Sequence, residues 1–317
     1  MTALPDDFDP APGLAHTHAQ TVFALYRRKS PSVPWKRQRQ ELPDGDFIDV
    51  DRLPGNEGMP TLLVLHGLEG STSSGYVGHI AFEAQARGWN VAALNFRSCS
   101  GEPNRLLRSY SSGDFRDVEW LLERTTGPTF AVGFSLGGSV LLNYLAKARG
   151  KGLAGAVAVS APYDLDDGAA RLDAPNFWSR RYVREFLGTM KAKALAKAAR
   201  FPGAIDAKAV QEAATIRAFD ACVTAPLFGY DSAEAYYRDC SAGPLLTSID
   251  VPTLLISSRD DHIAPASQLP RGALGTHRAV HVLETARGGH NGFVGGTVLR
   301  PRFWVERRAV DWLSSLL

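Results

Sequence analysis

The chain has 317 residues, of which 44% are hydrophobic and 21% charged. That composition supports a globular protein with a sizeable core, as one large domain or two ordinary ones. A net charge of +2 gives no reason to expect nucleic acid or an anionic membrane as partner, and no apolar run reaches the length needed to span a bilayer.

The three cysteines, Cys99, Cys222 and Cys240, have no paired spacing. They fit neither a disulfide framework nor a zinc site, and a reducing compartment is the expected home. The first residues, Met1 to Asp7, are acidic and lack a basic region followed by an apolar one, so the expectation is a soluble, cytoplasmic protein without a signal peptide.

In chain order, Pro5, Pro10 and Pro12 interrupt the first stretch. A short helix is expected from Ala15 to Arg28, and residues 1–36 read as an extension packing on the core. Arg27-Arg28-Lys29 and Lys36-Arg37 read as solvated basic faces, and His16 and His18 as structural. From Arg37 to Leu42 and from Phe47 to Asp51 the pattern alternates, and Asp44-Gly45 between them predicts a hairpin. Thr61 to Leu65 is a continuous apolar run, as in a strand covered on both faces. Helices are expected over 78–87 and 113–124, and strands over 89–95, 129–132, 153–160, 251–257 and 280–284. A helix over 301–316 closes the chain. Strand and helix in alternation predict an α/β fold with a mostly parallel, doubly wound sheet and an antiparallel N-terminal edge.

The alternation lapses between Ser160 and Val251. About ninety residues there contain no buried strand, and a structureless loop of that length is improbable. Helices are expected over 176–200 and 207–221, forming a helical cap over about 162–246 within a domain of 37–317. Lys191, Lys193 and Lys197 read as an exposed helix face.

Gly133-Phe134-Ser135-Leu136-Gly137 lies between an apolar run, Thr129 to Val132, and a helical pattern beginning at Ser139. This is a G-x-S-x-G nucleophile elbow in its strand-turn-helix context. A serine hydroxyl attacks only when a base takes its proton, and in this order of elements the acid and the histidine follow later in the chain. Gly288-Gly289-His290-Asn291-Gly292 comes after the last strand, and its glycines permit a tight loop that presents His290 as the base. His262 is a poorer candidate because it precedes that strand. Asp260-Asp261 follow the strand over 251–257; Asp261, four residues before Pro265, is favoured over Asp260 as the acid that orients the imidazole. The oxyanion of a tetrahedral intermediate needs backbone donors, expected from the N–H groups of Leu136 and Leu68. His66 is expected to brace the second loop by hydrogen bonds. No spacing suggests a metal site, and no dinucleotide fingerprint is present, so no cofactor is expected.

Taken together, the motifs resemble those of the YheT-like hydrolases, a branch of the α/β-hydrolase superfamily, over nearly the whole chain. They are His18-Ala19-Gln20-Thr21, Asp44-Gly45-Asp46-Phe47, His66-Gly67-Leu68-Glu69-Gly70-Ser71, Asn95 to Gly101, the elbow, Ile216 to Asp220, Tyr236-Tyr237-Arg238, Asp260-Asp261 and the loop around His290. The resemblance implies a serine carboxylic-ester hydrolase with a helical cap and with Ser135, Asp261 and His290 as the charge-relay set. Members are generally named as esterases, and animal relatives include acylglycerol lipases. Ser98 replaces the family's glycine in Arg-Gly-Cys, and His262 replaces the usual proline after the aspartate pair. The expected substrate is a small-molecule or lipid ester, with transient membrane contact compatible with the pattern. A lipase or acyltransferase working on membrane lipids is the alternative within the same chemistry, and a binding protein that kept the fold is the alternative outside it.

Overall fold

A computed structural model describes residues 4–275 and 277–317. The chain opens with helix α1 (Thr17–Arg27), then strands β1 (Lys36–Glu41), β2 (Phe47–Leu53) and β3 (Thr61–Leu65). Next come α2 (Gly75–Gln85), β4 (Asn90–Asn95), α3 (Arg116–Leu122), β5 (Thr129–Phe134), α4 (Leu136–Lys147) and β6 (Gly155–Val159). Six helices follow without a strand: α5 (Leu165–Leu172), α6 (Phe177–Arg200), α7 (Ala207–Glu212), α8 (Ile216–Phe219), α9 (Ala225–Leu227) and α10 (Ala233–Cys240). Then β7 (Thr253–Ser258), α11 (Arg271–Leu274), β8 (Val280–Thr285), a small ribbon of β9 (Val294–Gly296) and β10 (Pro301–Phe303), and α12 (Trp304–Ser314) complete it.

Eight strands form one sheet in the order β1-β2-β4-β3-β5-β6-β7-β8. The pairs β1–β2 and β2–β4 are antiparallel, and the others are parallel. Residues of β3, β5, β6 and β7 are buried almost throughout, which explains their unbroken apolar runs. One face packs against α2 and α12, the other against α3 and α4. Parallel strands all end on the same side of the sheet, so the loops after β3, β5, β7 and β8 converge there.

The edge strand departs from the expected alternation. β1 reads Lys-Arg-Gln-Arg-Gln-Glu and is largely exposed. Its partner β2 buries Asp49 and Asp51. Arg37 sits opposite Asp51 and Arg39 opposite Asp49, each guanidinium gripping its carboxylate through two nitrogens at 2.8–2.9 Å. Charge on the outer strand also discourages edge-to-edge pairing with another sheet.

The helix expected over 207–221 is broken. Ala213 leaves helical geometry with ψ 108°. Thr215 then starts a new turn by accepting from Ala218 N, and Asp173 accepts from the Ile216 and Arg217 amides. Side-chain caps of this kind compete with helix continuation. A wide helical turn, Asp220–Thr224, follows. Arg28 is another departure: it is buried rather than solvated, and its guanidinium lies 3.1 Å from Glu306 of α12.

Candidate active site

Ser135 stands where β5 turns into α4. Its backbone has φ 52° and ψ −120°, a sparsely populated conformation for a residue with a side chain, costing about 1–3 kcal/mol. The flanking glycines are required by contact. A Cβ on Gly133 would lie 2.4 Å from the Gly137 carbonyl oxygen, and one on Gly137 would lie 2.5 Å from the carbonyl oxygens of Leu65 and His66. The turn therefore projects the Ser135 hydroxyl away from the sheet, into the cleft above the strand ends.

His290 reaches that hydroxyl from the loop after β8. Its Nε2 is 2.8 Å from Ser135 Oγ, and its Nδ1 is 3.0 and 3.1 Å from the two oxygens of Asp261. An ionised carboxylate can only accept, so Nδ1 carries the proton and Nε2 is left to accept from the serine. Asp261 is buried, and Oδ1 also accepts from the Ile263 and Ala264 amides at 2.8 and 2.9 Å. Burial pushes its carboxyl up, but the adjacent His290 imidazole and these donors hold it below the usual carboxylate range.

The neighbouring candidates occupy other positions. Asp260 accepts from Gly289 N at 3.0 Å and so secures the loop, away from the imidazole. His262 has its Nδ1 3.3 Å from Thr17 Oγ1 and stacks on Tyr182. Burial pushes it down to about 3, which keeps it neutral. His18 hydrogen-bonds Tyr182 at 3.1 Å and stacks on Trp178.

The loop after β3 approaches the serine closely; a Cβ on Gly67 would lie 3.3 Å from Ser135 Cβ. His66 braces it as expected from sequence: Nδ1 donates to Gly67 O at 2.7 Å and Nε2 accepts from Phe96 N at 3.1 Å. Burial pushes this imidazole down to about 4, which favours the neutral form that both bonds require. On either side of Leu68, the amides of Gly67 and Glu69 donate to Tyr76 Oη and Tyr110 Oη, each at 2.9 Å. The Leu68 N–H has no protein acceptor among the described residues. Leu136 begins α4, where amides have no acceptor within the helix. Leu68, Ser135, Leu136 and His290 all line one cavity of about 160 Å³.

Most of the cavity wall is apolar and comes from the helices between β6 and β7, including Leu172, Phe186, Met190, Phe219 and Val223. Phe186 lines it, whereas Phe177 is 72% exposed and Trp178 packs on His18. Three charged residues in the wall escaped sequence reasoning. Lys193 pairs with Glu69 at 2.9 Å. Lys197 is buried, donates to Asn104 Oδ1 and Leu106 O, and is pushed down to about 8 by that burial. The lysine stretch thus faces the body of the protein at these two positions; their spacing of four residues, in phase with Phe186 and Met190, was the available signal. Asp220 accepts from Thr224 Oγ1 and Tyr237 Oη at 2.6 and 2.7 Å. Its burial pushes it up to about 6.

Residues 60–297 match the family described as the alpha/beta hydrolase fold. The chain is 41% identical over 324 residues to the YheT protein of Escherichia coli (strain K12), whose name carries the word esterase; the match covers 98% of this chain and 94% of that protein. The chain belongs to the α/β-hydrolase family, in its YheT-like branch. This YheT-like hydrolase is also 28% identical to Phospholipase ABHD3 of Homo sapiens, across 94% of this chain and 76% of that one. Among solved structures it is similar to mouse alpha/beta hydrolase domain-containing protein 10, with a TM-score of 0.55, 14% identity and coverage of 89% and 100% of the two chains. The esterase RhEst1 from Rhodococcus sp. ECU1013 superposes with a TM-score of 0.54, 19% identity and coverage of 90% and 100%. At those identities the likeness concerns the fold. Among the described residues no helix is long and apolar enough to cross a membrane.

Proposed function

We propose that this YheT-like hydrolase cleaves carboxylic esters through an acyl-enzyme, with Ser135 as nucleophile, His290 as base and Asp261 as the residue that orients the base. The observation that carries this reading is the continuous line of hydrogen bonds from Ser135 Oγ through the imidazole to the buried carboxylate. Ser135 Oγ attacks the ester carbonyl carbon as His290 Nε2 takes the hydroxyl proton. The carbonyl oxygen becomes an oxyanion facing the Leu68 and Leu136 N–H groups. Asp261 stabilises the imidazolium without taking its proton. The tetrahedral intermediate collapses, the C–O bond to the alcohol breaks, and the alcohol leaves with the proton from His290. Water enters, gives its proton to the same nitrogen and attacks the acyl-serine. The acid departs and Ser135 recovers its proton.

The apolar wall supports an acyl chain as the group housed in the cavity, and the helices between β6 and β7 then act as a cap that selects chain length. Relatives named as a phospholipase and a monoacylglycerol lipase are compatible with that choice. The test is hydrolysis of esters of graded acyl length by the parent and by Ser135→Ala. The variant is expected to lose activity by several orders of magnitude while unfolding normally. Comparable turnover in the purified variant would overturn the assignment.

A further inference from the structure

The motif His18-Ala19-Gln20-Thr21 has no part in the chemistry just described, yet it lies against the loop that carries His290. Thr21 Oγ1 accepts from the backbone N–H of His290 itself at 2.9 Å and donates to Thr17 O at 3.2 Å, so its direction is set from both sides. Gln20 has no exposed surface. Its Oε1 accepts from Val294 N at 2.6 Å, and its Nε2 donates to Val294 O and Leu14 O at 3.1 and 2.8 Å. The guanidinium of Arg28, just past the end of the same helix, donates from Nη2 to the carbonyl oxygens of Asn291 and Gly292. Glu306 supports that guanidinium from α12.

The loop glycines have a matching role. A Cβ on Gly289 would fall 2.5 Å from Thr17 O, and one on Gly292 would fall 2.8 Å from Gln20 Cβ. The sequence suggests glycines that let the loop turn tightly; the structure adds that they leave room for α1. From Gly289 to Val294, then, the backbone is held by one helix on one side.

We propose that Thr21, Gln20 and Arg28 are positioning residues, holding the backbone on either side of His290 so that Nε2 stays within hydrogen-bond reach of Ser135 Oγ. The proposal rests on the reading of His290 as the base. The physical ground is geometric. Proton transfer requires a heavy-atom separation of about 2.6–3.2 Å, and a displacement near 1 Å costs about 100-fold in rate. Thr21, Gln20 and Arg28 do not themselves line the cavity and meet it only through the backbone of the His290 loop, so their effect falls on the chemical step and spares substrate binding.

The test is Thr21→Val, which keeps the shape and removes the acceptor for the His290 N–H, compared with Thr21→Ser, which retains it. On an ester chosen so that chemistry limits turnover, Thr21→Val is expected to lower kcat at least tenfold with KM within about twofold of the parent. The rate of Ser135 labelling by a fluorophosphonate should fall in parallel, and Thr21→Ser should recover most of both. Arg28→Lys is the second variant: it keeps the charge beside Glu306 but loses the planar fork that reaches two carbonyls. It carries the same expectation, and it decides the matter if Thr21→Val does not show a cooperative unfolding transition. Ser135→Ala runs alongside. If Ser135→Ala is inert and Thr21→Val, or Arg28→Lys in its place, turns over within twofold of the parent, the positioning role is overturned and the assignment of the nucleophile stands. If Ser135→Ala is itself active, the functional reading falls first and the positioning role falls with it.

Discussion

Lys193 and Glu69 form an ion pair at 2.9 Å that joins helix α6 to the loop following β3. Glu69 sits beside Leu68 with φ 56°, and Tyr110 Oη both accepts from its amide and donates to its carboxylate. The pair therefore ties the helices over the cavity to the segment proposed to supply an oxyanion donor. Its carboxylate is mostly buried and its ammonium about one-third exposed. Removing one partner should therefore cost less than the loss of a fully buried pair, about 1–3 kcal/mol. Lys193→Met is expected to lower stability by that amount in denaturant unfolding and to reduce kcat/KM. The double variant Lys193→Met/Glu69→Gln should regain part of the stability, and a double variant less stable than both singles would contradict the coupling.

Asp220 yields a pH prediction of definite sign. Burial raises its folded-state value to about 6 from an ordinary 3.8. Between those values the folded chain keeps a proton that the unfolded chain has lost, so stability falls as pH rises through the window. The whole penalty is about 3 kcal/mol. An asparagine there keeps one oxygen to accept from one of the two hydroxyls, presents an NH2 donor to the oxygen of the other, and does not ionise. Unfolding measured from pH 4 to pH 7 should show Asp220→Asn gaining on the parent up to about pH 6 and holding a constant lead above it. Parallel curves across that range would contradict the assignment.

Asp261→Asn tests the orientation of the imidazole. The amide would present a donor toward Nδ1, favouring the tautomer whose proton sits on Nε2, and Nε2 could no longer accept from Ser135. A fall in kcat of about 10⁴-fold is expected, with the fold retained. Asp260→Asn keeps an oxygen for the Gly289 amide and should fall far less. An equal loss in both variants would return Asp260 to contention.

Gly137→Ala addresses the strained turn. Its methyl would press on two backbone carbonyl oxygens at 2.5 Å, and neither can move without shifting β3. A loss of at least about 3 kcal/mol is expected, or failure to accumulate as folded protein. Unfolding within 1 kcal/mol of the parent would show that this contact is not tight.

The parts of the fold legible from sequence were those written in local pattern. Leu62 to Leu65 and Leu254 to Ile256 are apolar because both faces of their strands are covered, and Ser135 is marked by glycines that sterics demand. Strand boundaries moved by one or two residues because fraying ends carry little pattern. What stayed hidden depends on pairs far apart in the chain. Arg28 looks like any surface arginine until Glu306 is set beside it, and Lys193 looks solvated until Glu69 is. The break at Ala213 arises where the caps of Thr215 and Asp173 outcompete helix propensity, and Asp173 lies 43 residues from the amide it accepts. The β9–β10 ribbon escaped because three residues are too few to establish a period.

The bond between Thr21 and the His290 amide closes a span of 269 residues. Contacts that distant are the last to be rewarded during folding, since the ordering cost of the intervening chain is met before they form. On the proposed assignment, a chain synthesised only through the elbow carries Ser135 without the residue proposed to activate it. On the same assignment, hydrolytic competence waits for the late loop to dock on a helix made long before. If His290 is the base proposed above, the newborn protein receives its trigger last.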